Sequence, residues 1–210
     1  MLISTEAIAL SSIKYSESSV IVKCFTLSEG IKSYLIKGIR SRKKNSLNMG
    51  LFQPLTILEI DANHKNNGNL ESIRSAKILH PYKTIPFDIY KNSIVLFLSE
   101  ILSKCIKEEE KKEALYSFIK NSMIWLDSSS NYINFHLHFI IKFLKYLGIS
   151  PNESNITFKG FDMISGIFSN SINTDNCITG KVITHFKEFL GTNFDRNNLT
   201  ISSSIQRKEL

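Results

Sequence analysis

The chain has 210 residues, 42% hydrophobic and 21% charged, with a formal net charge of +7; that size and balance exclude wholesale disorder and leave room for two small domains, each with its own core. Its cysteines, Cys24, Cys105 and Cys177, form no CxxC pair, which excludes a cysteine-rich zinc site and fits buried thiols in a reducing compartment. The start carries no secretory pattern and no apolar run reaches the roughly 18 residues of a membrane span, so a soluble cytoplasmic protein is expected, with no membrane partner.

The first eighty residues read as short strands. Ala7 to Ile13 makes one; Val20, Val22 and Cys24 alternate with Ile21, Lys23 and Phe25 in the next, which stops at the turn Ser28-Glu29-Gly30. The returning arm alternates from Lys32 to Ile36 and ends at Lys37-Gly38, and Leu55 to Asp61 and Leu70 to Ala76 flank a polar turn. Five antiparallel strands in this length suit a small Greek-key barrel of the OB type, although an SH3-like barrel leaves a similar trace.

The period changes beyond Pro86. Ile94, Phe97, Leu98, Ile101, Leu102 and Cys105 recur at helical steps, Leu115, Phe118, Ile119 and Leu126 outline a second helix, and Tyr132 to Leu147 is apolar nearly all round, predicting a central third helix ended by Gly148 and Pro151. Residues 154–178 are polar, with "FDMISGIF" read as a small hairpin or irregular excursion, and Val182 to Leu190 restores helical spacing. The closing "ISSSIQRKEL" reads as a helix that begins and does not finish, which points to truncation. The expected class is α+β in two domains, a barrel over 1–80 and an all-α domain over 81–210, with a seam near Pro81 and Pro86.

Charge is distributed unevenly. Residues 1–80 hold 11 Lys/Arg against 6 Asp/Glu, whereas 151–210 hold 6 against 6. The segment carrying Lys32, Lys37, Arg40, Arg42, Lys43 and Lys44 has no acid from Ile31 to Leu58. In a loop that frames a barrel's groove, such cations sit along a phosphate backbone, Gly38 lets the chain turn beside it, and the nearby Phe25, Tyr34 and Phe52 offer faces for base stacking. A merely solvated lysine-rich loop is the competing reading.

Signals for catalysis are poor. His136 and His138 lie two apart on a helix and point to opposite sides, so they cannot share a metal. Glu108, Glu109 and Glu110 sit among lysines in an inter-helix turn, no phosphate-cradling glycine loop appears, and no nucleophile is paired with a base. A non-enzymatic protein is expected.

Three stretches carry a resemblance. "TEAIALSSIKYSESSVIVKCFTLSEGIKSYLIKGIRSRK" resembles the opening of the RecO family of recombination-repair proteins, and "SEILSKCIKEEEKKEALYSFIKNSMIWLD" and "NFHLHFIIKFLKYLGISPN" resemble its helical segments in the same order, covering residues 1–152. The resemblance implies an N-terminal OB-fold β-barrel, a C-terminal helical domain and no enzymatic activity. It also implies binding and annealing of single-stranded DNA, and leaves double-stranded DNA open as a second ligand. As partners it implies RecR, the C-terminal tail of the single-strand-binding protein and, indirectly, RecA, at the bacterial nucleoid. By position it puts the DNA-contacting loop on Lys37, Gly38, Arg40, Arg42, Lys43 and Lys44. Two departures stand out: the four-cysteine zinc site of many members is reduced here to Cys177, so no cofactor is expected, and the family's chains usually run longer. An RNA-binding OB protein, a non-catalytic adaptor and a metal-dependent nuclease built on Glu108 to Glu110 are the alternatives the residues leave open.

Overall fold

A computed structural model describes residues 1–38, 47–65, 69–107, 110–170 and 176–191. Five strands, β1 (Leu2–Lys14), β2 (Ser19–Thr26), β3 (Gly30–Lys37), β4 (Ile57–Asn63) and β5 (Ser72–Ile78), form one sheet in the order β3-β2-β1-β4-β5. All its ladders are antiparallel. A parallel bridge from Tyr34 to Glu71, with Leu35 N donating to Glu71 O and Glu71 N to Ser33 O (both 2.9 Å), joins β3 to the start of β5 and closes the sheet. That closure is the OB-type barrel and decides against the SH3-like alternative.

Alternation along the strands explains the core. Ala7, Ala9, Val20, Val22, Cys24, Tyr34, Ile36, Leu58, Ile60, Ala62 and Ile73 point inward, and Phe52, from a 3-10 turn over Met49–Phe52, joins them. The β2–β3 turn is fixed by Thr26, whose hydroxyl donates to Gly30 O (2.9 Å) and accepts from Glu29 N (3.1 Å), while Gly30 takes the left-handed φ of 66° that a side chain resists.

Where the barrel closes, polar groups are buried together. Tyr34 Oη and His64 Nε2 are 2.8 Å apart, His64 Nδ1 and Glu29 Oε2 2.8 Å, and Lys65 N donates to Glu71 Oε2 at 2.9 Å. An ionised carboxylate only accepts, so Nδ1 donates to Glu29, and in the neutral ring Nε2 accepts from the Tyr34 phenol. Burial, with Cys24, Glu29 and Glu71 nearby, pushes that phenol upward and keeps its proton on.

Helices α1 (Ile89–Cys105) and α2 (Glu113–Ser128) belong with the barrel in one compact unit, residues 1–129. Asp88 caps α1 by accepting from Tyr90 N and Lys91 N. The face α1 buries is Lys91, Val95, Leu98, Ser99 and Leu102; it shares Leu98 and Leu102 with the expected face, with Ile94 and Ile101 half-buried, but Phe97 and Cys105 are exposed. The reason is polar anchoring, since Ser99 Oγ donates to Leu10 O (3.1 Å) and Lys91 Nζ to Asp127 O (3.0 Å), which turns the helix toward its hydrogen-bonding side.

Lys23, on the outer side of β2, closes the other end of α1. Its Nζ donates to the carbonyls of Ser103 and Ile106, the second at 3.4 Å, supplying positive charge where the helix leaves unsatisfied carbonyls. Burial and then the neighbouring Lys107 lower its pKa. Lys23→Met is expected to cost the unit about 1–2 kcal/mol in urea unfolding, with no loss of helix content at low denaturant.

The second compact unit, residues 130–210, contains α3 (Phe135–Tyr146), three short strands β6 (Gly160–Asp162), β7 (Ile167–Ser169) and β8 (Cys177–Ile178) in the order β7-β6-β8, and α4 (Gly180–Leu190). The expected hairpin at "FDMISGIF" is β6–β7, turned by Gly166 at φ 68°. Phe161, Phe168, Ile183 and Leu190 form its core with Ile141, Phe158 and Phe186 against them, and Lys187 donates to Phe158 O at 2.6 Å. α3 buries fully only Phe135, His138, Phe139 and Phe143 along one face. Among the described residues no helix is long and apolar enough to cross a membrane.

Candidate nucleic-acid interface

The strand registers bring separate cations to one end of the barrel. Lys14, at the end of β1, faces Val20; Lys37, at the end of β3, faces Ser19; and Val20 faces Ile36. Across β2, Lys14 is therefore level with Ile36, and Lys37 and Gly38 follow one and two residues further on, at the end formed by β1, β2 and β3. Lys37 is exposed and of outward parity, as Tyr34 and Ile36 point inward. Gly38 has a φ of 68° with open space where a Cβ would stand, so the turn out of β3 uses glycine for its backbone and not for close packing. Arg40, Arg42, Lys43 and Lys44 lie outside the described residues.

The aromatic expectation needs correction. Phe25 and Tyr34 are 0% exposed and Phe52 is 1% exposed, so none offers a face to a base. Tyr34 is held inside the barrel by its bond to His64, and Phe52 plugs the same core. Phe25 follows the outward parity of Ile21 and Lys23, yet α2 covers it: the Tyr116 ring lies 5.8 Å away, centroid to centroid. Lys32 is also buried, 3.6 Å from Glu29 Oε2, and takes no part in the exposed edge.

Two side chains the sequence pattern passes over stand at this end. Tyr15, in the β1–β2 turn, is 62% exposed, and its turn is pinned by Tyr15 N and Ser16 N donating to Ser19 O at 3.0 and 3.1 Å. Arg74, on β5, is exposed where the register slips. The signal for Tyr15 was its place in a polar turn next to Lys14; Arg74 had none, because its neighbours come from strand pairing.

The first unit has further concave features. A cavity of about 320 Å³ is lined by Pro54, Pro81, Tyr82, Ile85 and Leu96, with His80 and no carboxylate on its walls; Tyr82 Oη donates to Leu55 O at 2.7 Å. His138 of the HxH pair is buried against the Phe189 ring at 4.7 Å. Of the acidic run, Glu108 and Glu109 lie outside the described residues and Glu110 is exposed. Among the described residues no three His, Cys, Asp or Glu side chains come together as a metal site. The small sheet of the second unit contributes the single thiol of Cys177, a donor set that does not fit a four-cysteine zinc site.

Comparison with known proteins agrees with this architecture. The family model described as "Recombination protein O N terminal" matches residues 1–82, and that described as "Recombination protein O C terminal" matches residues 86–207. The chain belongs to the RecO family. Among curated RecO relatives, a "DNA repair protein RecO" of Flavobacterium psychrophilum is 43% identical over 210 residues, 100% of this chain and 88% of the relative. Its namesake in Flavobacterium johnsoniae is 42% identical with the same coverage, and that of Christiangramia forsetii 40% identical over 195 residues, 93% of this chain and 82% of the relative. The first RecO model ends at residue 82, where the barrel ends and the connection to α1 begins.

Proposed function

We propose that this chain is a non-enzymatic DNA repair and recombination mediator that binds and anneals single-stranded DNA, needs no cofactor, and works in the cytoplasm at the nucleoid. The observation that carries the reading is an OB barrel in a RecO-family chain whose β1–β2–β3 end presents Lys14 and Lys37 beside a stretch with no acid between residues 31 and 58. The contacts proposed are Lys37, with Gly38 turning the chain, and Arg40, Arg42, Lys43 and Lys44. The mechanism is charge neutralisation: cations along two phosphate backbones lower their mutual repulsion, so complementary strands meet without ATP. The helical region docks protein partners, namely RecR and the tail of the single-strand-binding protein, through which RecA is loaded onto coated DNA.

The test is binding to a labelled oligonucleotide at several salt concentrations. With about 4–6 phosphates engaged, log K is expected to fall against log[salt] with a slope of roughly −3 to −4 on a single strand. An affinity that ignores salt overturns the reading. Annealing of complementary strands coated with single-strand-binding protein, with and without RecR, then separates the mediator from a passive binder.

A further inference from the structure

The closed barrel extends the cationic edge beyond β3. The bridge between Tyr34 and Glu71 is parallel, so β3 and β5 leave it in the same direction, and Lys37 and Arg74 each lie three residues past it, about 10 Å at strand rise. The two strands pair at that bridge alone and then part. On the other side of β5, Ala62 faces Ile73 and Asp61 faces Ser75, which leaves Arg74 as the extra residue of a β-bulge. Ile73 is buried while Arg74 and Ser75 are both exposed, so the bulge aims an additional side chain outward at the open seam.

Tyr15 lies in the turn joining β1 and β2, Lys14 and Lys37 at the ends of β1 and β3 with β2 between them, and Arg74 on β5 beyond the point where β3 and β5 part. Among the described residues neither the Lys37 ammonium nor the Arg74 guanidinium has a hydrogen bond or ion pair. Of the acids nearby, Asp61 accepts from Ser75 Oγ at 2.6 Å and also interacts electrostatically with Arg74, and Glu59 pairs with Lys77 at 3.0 Å. Glu17, in the turn with Tyr15, is an exposed acid at this end.

We propose that Tyr15 is a stacking platform for one base of a bound single strand, and that Arg74 continues the phosphate track of Lys14 and Lys37 across the β3–β5 seam. This rests on the single-strand-binding reading and deepens it. An aromatic face fixed in a pinned turn takes any base, because every base has a π-face, while the cations beside it hold the backbone; stacking supplies the base contact that the buried Phe25, Tyr34 and Phe52 cannot. The two parts respond differently to salt. Stacking releases no counterion, whereas each phosphate contact contributes about 0.7 to the slope on a single strand.

The experiment measures anisotropy of labelled oligothymidine and of an abasic strand of equal length against the full chain and its Tyr15→Ala, Tyr15→Phe and Arg74→Ala variants. Tyr15→Ala is expected to weaken oligothymidine binding about 5- to 100-fold with the salt slope unchanged and abasic binding unaffected, and Tyr15→Phe to restore it. Arg74→Ala is expected to lower the slope by about 0.7 on both strands. Wild-type affinity in Tyr15→Ala, or an equal loss on the abasic strand, overturns the stacking role, and an unchanged slope in Arg74→Ala removes β5 from the track. If the wild-type chain binds neither strand, the single-strand-binding reading itself fails. Both side chains are exposed, so retained thermal unfolding of the variants separates loss of contact from loss of fold.

Discussion

Asp127→Ala is expected to destabilise the 1–129 unit by about 3–5 kcal/mol in urea unfolding. Asp127 ends α2 and is 4% exposed. Its carboxylate accepts from Lys83 N at 2.9 Å, Thr84 N at 2.8 Å and Ile85 N at 3.0 Å, and Thr84 Oγ1 donates to its main-chain oxygen. One side chain thus satisfies three consecutive N–H groups of the connection between β5 and α1, which runs too irregularly to satisfy them itself. Lys91, also buried, donates to Thr84 Oγ1 at 2.7 Å and to the main-chain Asp127 O at 3.0 Å, bonds that Asp127→Ala keeps, so the cost lies in the three stranded N–H donors. Burial alone would push this carboxyl up, yet the N–H donors of Lys83, Ile85 and Thr84 and the Thr84 hydroxyl hold it below the usual carboxylate range. The sign follows: a depressed folded-state pKa contributes stability that is complete above the unfolded value of about 3.9 and is lost as pH falls through the folded one. Asp127→Asn keeps the shape without the charge and is expected to flatten that acid limb of the stability curve.

That clamp also shows why the fold was only partly legible beforehand. The strand pairs 20–25 and 32–36 announce themselves by alternation and a glycine turn, since both signals are local. β1 runs from Leu2 to Lys14, longer than Ala7 to Ile13, because Leu2 to Glu6 pairs with β4, more than fifty residues away. The buried face of α1 was misjudged by about one residue for the same reason: hydrophobic spacing cannot foresee that Lys91 and Ser99 find partners at Asp127 and Leu10. Change of period near Pro86 marks where strands give way to helices, while compactness follows buried side chains, and those tie α1 and α2 to the barrel.

At the candidate interface the charge was readable and the geometry was not. Closeness in sequence put Phe25, Tyr34 and Phe52 beside the basic segment, but which face a ring takes depends on what covers it, and only Tyr116 and the His64 bond decide that. Lys37 could be placed because strand parity alone sends it outward. Arg74 could not, because a bulge resets parity and its neighbour on β3 is set by closure of the barrel.

Reversing the loop charges, Arg40, Arg42, Lys43 and Lys44 to Glu together, is expected to weaken single-strand binding on the order of 10²–10³-fold at 0.1 M salt and to abolish annealing. At about 0.7 in slope per contact, losing four contacts removes nearly three decades of affinity at that salt, before the added carboxylates repel the strand. The slope is expected to fall by about 2.8 from its wild-type value, so the variant retains a weak, less salt-sensitive binding that separates the basic segment from the barrel edge. The control is the barrel's unfolding midpoint, which is expected to stay at that of the wild type. Unchanged annealing with an intact barrel would show that this loop is only solvated surface, and the strand would then have to be gripped by Tyr15, Lys14, Lys37 and Arg74 alone.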